Sequence, residues 1–86
     1  MTIHWSEPFR RDFRKLPKEV QGAFEEKLRL AVSSNLTHPS LRIKKMQGHP
    51  FIWEGSVTMN YRFTFQKTEA GIFLRRIGTH DMLRNP

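Results

Sequence analysis

The chain has 86 residues and a formal net charge of +7, with fifteen Lys and Arg against eight Asp and Glu. That length supports a thin core, so one sheet with one or two helices in a single domain spanning 1–86 is the expectation. The absence of Cys excludes disulfides and cysteine zinc sites, no run approaches the ~18 apolar residues of a membrane-spanning helix, and the basic excess points to nucleic acid or an acidic protein as partner.

The charge is uneven. Residues 1–41 carry seven basic and five acidic side chains, whereas residues 42–86 carry eight basic and only three acidic ones. The first nine residues, MTIHWSEPF, lack the charged and apolar regions of a signal peptide, and a cytoplasmic location is expected.

Thr2–Trp5 alternates as a short strand. Ser6 then suits a helix N-cap, with Glu7 and Pro8 in the first turn. Phe9, Phe13 and Leu16 form one helical stripe, with Arg10, Arg11, Arg14 and Lys15 opposite. Pro17 ends that helix and opens the next, which runs from Lys18 to Ser34 with Val20, Phe24, Leu28 and Ala31 on one face. Residues 35–40 form a loop. Leu41–Met46 is expected as a strand, closed by a turn at Gly48 and Pro50.

The stretch from Trp53 to Asp81 is the most informative. Trp53, Gly55, Val57, Tyr61, Phe63, Phe65, Ile72 and Leu74 recur at every second position and are assigned to the core. Pairing Val57 with Tyr61 leaves the loop Thr58–Asn60, with Asn60 suited to a left-handed backbone. Pairing Phe65 with Ile72 leaves a four-residue turn, Lys67–Ala70, and sets Arg62 opposite Arg75. Glu54 and Ser56 then share the far face with Arg62 and Thr64. The expected fold is α+β, in the order β-α-α-β-β-β, with a mostly antiparallel sheet, a helical hairpin on one face and the other face at least partly open.

Two arginines together on a wet face repel unless an anion lies between them, and guanidinium binds phosphate bidentately. Arg62 and Arg75 are therefore candidate phosphate ligands. His80 follows the last expected strand, where an imidazole can pass a proton near neutrality, and Asp81 stands beside it. Lys44 and Lys45 offer point charges for phosphate. Glu54 is the lone carboxylate of the far face, expected as an ion-pair partner of Arg62 or as a proton acceptor. His4, His38 and His49 lack metal-ligand spacing, and no glycine-rich phosphate loop or nucleophile elbow is present. No metal or cofactor is expected.

With these residues in place, the chain resembles the RelE/ParE superfamily of bacterial toxin–antitoxin toxins over nearly its whole length. The resemblance rests on the element order, Lys45-Met46-Gln47-Gly48, Trp53-Glu54, Tyr61-Arg62-Phe63-Thr64-Phe65 and Ile77-Gly78-Thr79-His80-Asp81. It looks closer to the RNA-cleaving RelE, YoeB and YafQ types than to the gyrase-poisoning ParE type. What it implies is an mRNA endoribonuclease acting on ribosome-bound message, inhibited by a cognate antitoxin and acting as a monomer or within a toxin–antitoxin hetero-oligomer. In that reading Arg62 contacts the scissile phosphate and His80 is the general acid. This chain departs from its relatives by carrying Glu54 and Ser56 where RelE has lysines, and Lys45 where YafQ-type toxins have a histidine. Lys45 and Glu54 are the candidates for the general base. Arg10 and Arg14 are expected to contact ribosomal RNA or an acidic antitoxin segment. The alternatives are a gyrase-binding toxin and a catalytically inactive member that acts only in a complex.

Overall fold

The computed structural model describes residues 1–86. It contains β1 (Thr2–Trp5), α1 (Glu7–Arg14), α2 (Lys18–Ser34), β2 (Lys44–Lys45), β3 (Trp53–Ser56), β4 (Tyr61–Lys67) and β5 (Gly71–Thr79), with short 3-10 turns at Pro39–Leu41 and His80–Arg84. The strands form one sheet in the order β1-β5-β4-β3-β2. β1 runs parallel to β5, and the other neighbours are antiparallel. The fold is α+β, with four strands after the helices. No helix is long and apolar enough to cross a membrane.

The local chemistry accounts for the helices. The Ser6 hydroxyl accepts the Phe9 N–H at 3.2 Å, capping α1, and donates to the Arg75 carbonyl at 3.3 Å, tying that cap to β5. α2 opens after Pro17 and stops where Asn35 enters the left-handed region at φ 52°. Phe9, Val20 and Phe24 meet Val57, Phe63, Phe65, Ile72, Leu74 and Ile77 in one core. Trp5 packs edge-on against Phe9, Phe13 and Phe24, and Phe24 packs edge-on against Phe63. Gly55 is required within this packing, because a Cβ there would lie 2.5 Å from the Phe63 ring.

Four expectations change. The first concerns Leu41–Met46, of which only Lys44–Lys45 is strand. His38 Nδ1 accepts the Ser40 N–H at 3.1 Å, which starts the Pro39–Leu41 turn, and Arg42 then takes a left-handed φ of 48° that extended pairing does not allow. The second concerns the β3–β4 loop. Its register, with Ser56 opposite Arg62 and Gly55 opposite Phe63, follows the alternation. However, Asn60 is not among the residues with positive φ. Arg62 holds the turn instead, its Nη1 donating to the carbonyls of Thr58, Met59 and Tyr61 at 2.6, 3.1 and 3.0 Å.

The third change moves an arginine. The β4–β5 turn is tighter than four residues, since Thr68 N–H donates to the Gly71 carbonyl at 2.8 Å and Thr68 Oγ1 accepts the Gly71 N–H at 2.9 Å. Phe65 therefore pairs with Leu74 rather than Ile72, a shift of two residues that keeps both on the core face. A bulge at Arg75 adds one more residue, so Phe63 faces Ile77 and Arg62 lies opposite Gly78, not Arg75.

The far face is also more covered than expected. Residues 80–86 fold back over it, and Thr64 is fully buried there. The Pro86 carbonyl accepts Thr64 Oγ1–H at 3.0 Å and Arg75 Nε–H at 3.1 Å, and the Asn85 carbonyl accepts Arg76 Nη1–H at 3.2 Å.

Arg76 anchors α1 to this strand. Its Nε and Nη2 donate to the two Asp12 carboxylate oxygens at 2.6 and 3.2 Å, and the Ile77 N–H donates to Asp12 Oδ2 at 3.2 Å. The Asp12 hydrogen bond is the main cause that raises the Arg76 pKa, with burial opposing it and the Asp12 charge adding to it. A raised cationic pKa stabilises the fold at all pH values below the ordinary arginine value, and that contribution is lost only as pH rises past the raised one, so it is constant around neutrality. Asp12→Asn leaves a half-buried guanidinium without its anion and is expected to cost about 2–3 kcal/mol. A urea midpoint unchanged by this substitution would show that the pair is not structural.

Candidate functional site

Arg62 extends from the start of β4, in the cross-strand row Ser56–Arg62–Gly78. One nitrogen, Nη1, is committed to the turn carbonyls, while Nε and Nη2 have no protein partner and are not sealed from solvent. The glycine opposite is packed against Met82, where a Cβ would lie 3.3 Å from the Met82 Cβ. β5 then ends at Thr79, paired with Tyr61, and the chain turns so that His80 and Asp81 follow. Arg62, Thr79, His80, Asp81, Met59 and Asn60 line a cleft of about 410 Å³. Arg62 and His80 thus share one cavity, as the sequence suggested, and Asp81 is the only carboxylate in its wall.

The other candidates lie elsewhere. Glu54 belongs to the far face, one cross-strand pair along from Arg62 and opposite Thr64. Its side chain is 11% exposed, and its charged neighbour is Lys44 Nζ at 3.9 Å, not Arg62. Lys44 pairs across the strands with Glu54 and Lys45 with Trp53, so Lys44 shares the face of Glu54 and Arg62 while Lys45 belongs to the opposite face. Arg75 is bound by the Pro86 carbonyl and by Gln66 Oε1 at 2.6 Å, and it does not line the Arg62 cleft. Arg10 and Arg14 are exposed on α1, where Arg10 Nε donates to the Trp5 carbonyl and Arg14 lies 3.9 Å from Glu7. Neither reaches the cleft.

Chemically, the cleft brings a guanidinium with two unbonded nitrogens, an imidazole and a carboxylate into one solvent-open space. That set can bind a phosphodiester, hold charge that develops on phosphorus and exchange protons with two oxygens. Sequence reasoning missed Met59, which is 88% exposed at the cleft rim. Its only signal is an apolar residue in a polar loop. The Asp12–Arg76 pair carries no sequence signal at a separation of 64 residues.

No protein-family profile matches the chain, and comparison with curated protein sequences finds no match. The fold, in contrast, matches solved structures over almost its full length. It is similar to a RelB–RelE antitoxin–toxin complex from Methanococcus jannaschii, with a TM-score of 0.77, 18% identity and 95% of each chain covered. It is similar to YafQ from E. coli strain BL21(DE3), with a TM-score of 0.78, 16% identity and coverage of 95% of this chain and 96% of that one. A YoeB/ParE toxin from Agrobacterium tumefaciens matches with a TM-score of 0.75 at 14% identity, covering 93% of this chain and 99% of the other. The chain therefore has the fold of the RelE, YafQ and YoeB toxins.

Proposed function

We propose that this protein is a toxin of a toxin–antitoxin module that cleaves mRNA. The observation that carries the reading is the cleft in which Arg62 Nε and Nη2 remain unbonded beside His80 and Asp81. In this mechanism the RNA 2′-hydroxyl gives its proton to Asp81 and attacks the adjacent phosphorus. Arg62 stabilises the charge that grows on the non-bridging oxygens. The bond from phosphorus to the 5′-oxygen breaks, and imidazolium His80 protonates that oxygen. The products are a 2′,3′-cyclic phosphate and a 5′-hydroxyl. The base role moves from Lys45 and Glu54 to Asp81, because Lys45 is on the wrong face and Glu54 lies outside the cleft against Lys44.

The partner in this reading is an acidic antitoxin, which complements the net charge of +7. Two of the similar folds are themselves antitoxin complexes, RelB–RelE and DinJ–YafQ. An open cleft on so small a body cannot enclose a strand, which favours message held on the ribosome. Arg10 and Arg14 are then available to ribosomal RNA.

The test is induced expression with primer extension on cellular mRNA, repeated on purified ribosomes. New 5′-hydroxyl ends are expected with the natural chain, and His80→Gln is expected to slow their appearance about a hundredfold. Intact transcripts in the presence of ribosomes would remove the nuclease reading. DNA damage with intact transcripts would instead support a gyrase-binding toxin.

A further inference from the structure

Arg62 also lines a second cleft. It encloses about 360 Å³ and is lined by Lys27 of α2, Ser40 and Arg42 around the 3-10 turn, Ser56 of β3, and Met59 and Arg62. Three cations and, with Thr58, three hydroxyl-bearing residues are among its lining, and no carboxylate is. Lys27 Nζ is fixed in the wall by donation to the Ser40 carbonyl at 2.9 Å, which leaves its other N–H directions free. Arg42 is held at a left-handed φ of 48°, with its N–H on the Pro39 carbonyl at 3.1 Å. A backbone conformation this uncommon for a side-chain-bearing residue fixes where the arginine leaves the chain. Met59, an exposed apolar side chain, lines both clefts, as Arg62 does.

We propose that this cleft is a second phosphate subsite, formed by Arg42 and Lys27, which takes the backbone phosphate next to the one at Arg62 and His80. The proposal rests on the RNA reading of the first cleft. Three cations lining one cleft repel unless an anion or water separates them, and a polyanionic single strand supplies anions at regular intervals. Arg62 is shared by both clefts and so touches two successive phosphates. The nucleoside between them lies over Met59, whose flexible thioether gives a sequence-tolerant apolar contact. The substrate this surface fits is a single strand with at least two consecutive phosphates.

The probe is a fluorescently labelled 2′-O-methyl RNA dodecamer, which cannot be cleaved through its 2′-oxygen, with binding followed by anisotropy between 50 and 300 mM salt. Arg42→Asn is the main variant, because asparagine tolerates the left-handed backbone. Lys27→Met is the second variant, and Lys18→Gln, on the exposed start of α2, is the control. Each lost phosphate contact on a single strand makes the log–log salt slope shallower by about 0.7 and so weakens binding about eightfold at 50 mM salt. That change is expected for Arg42→Asn and for Lys27→Met, with no change for Lys18→Gln. No binding by the natural chain, a natural slope in Arg42→Asn, or an equal loss in the control would each overturn the proposal. If message on ribosomes is left uncut while the binding pattern holds, the nuclease reading falls and the subsite stands. If RNA is cut but Arg42→Asn binds like the natural chain, the subsite falls alone.

Discussion

Replacing Arg62 with alanine is expected to lower RNA cleavage about a thousandfold while leaving the protein folded. The guanidinium has two separate duties. Nη1 closes the β3–β4 turn through three carbonyls, and Nε and Nη2, which have no protein partner, are left for a ligand of the cleft that Arg62 lines. Losing the turn contacts costs on the order of 1 kcal/mol, because water can reach the freed carbonyls of this half-exposed loop. The catalytic loss is larger, because a fixed donor aimed at the phosphorane is removed where solvent is already partly displaced. Arg62→Lys separates the duties. It keeps the charge but lacks the planar fork needed to bond the turn and the phosphate together, so it should recover little activity. Single-turnover cleavage with a parallel thermal melt measures both. An Arg62→Ala protein that melts normally and cleaves within tenfold of the natural rate would take Arg62 out of the mechanism.

The largest effect on stability is expected from Phe24→Ala, at about 3–5 kcal/mol. Phe24 is fully buried and is the one helical side chain that touches Trp5, Phe9, Phe13 and Phe63, with ring centroids 5.3–6.0 Å away. Removing the ring leaves a cavity where α2 meets the sheet, and the neighbouring aromatics are too rigid to fill it. A domain of this length holds roughly 5–15 kcal/mol in total, so the variant should melt at least about 15 °C lower. Phe24→Leu, which refills most of the volume, should cost no more than about 1.5 kcal/mol. A loss below that figure for the alanine variant would mean that the helices contribute little to the core.

Both residues were visible in the sequence, for different reasons. Phe24 stood out through helical spacing, and α2 spans Lys18–Ser34 as that spacing indicates. Arg62 stood out because strict alternation from Gly55 to Phe65 fixes which face each side chain takes, and the β3–β4 register followed from it. The β4–β5 register was misjudged where alternation stops. Leu74 and Ile77 are three residues apart and both buried, which a regular strand cannot achieve. The two arginines between them were the sign of a bulge, and that bulge moves Arg75 away from Arg62. The cover over the far face had no comparable sign. It depends on main-chain carbonyls of Asn85 and Pro86, which any residue can offer. The residue pattern supplied the α+β fold and put His80 at the end of the Arg62 face, the family resemblance supplied the roles expected of the two, and the assignment of Asp81 and the cleft at Arg42 came from the coordinates.

The parallel pairing of β1 with β5 has a consequence for how the chain reaches this state. Ser6 caps α1 and bonds to Arg75, 69 residues away, and Thr2 lies opposite Gly71. The hairpins β3–β4 and β4–β5 close over short spans and can form early, but β1 has no strand to join until β5 exists. During synthesis β1 therefore waits for β5, which is made long after it. Arg62, His80 and Asp81 come from β4 and from the residues just after β5, so the cleft cannot assemble until β5 and the turn that follows it have been made.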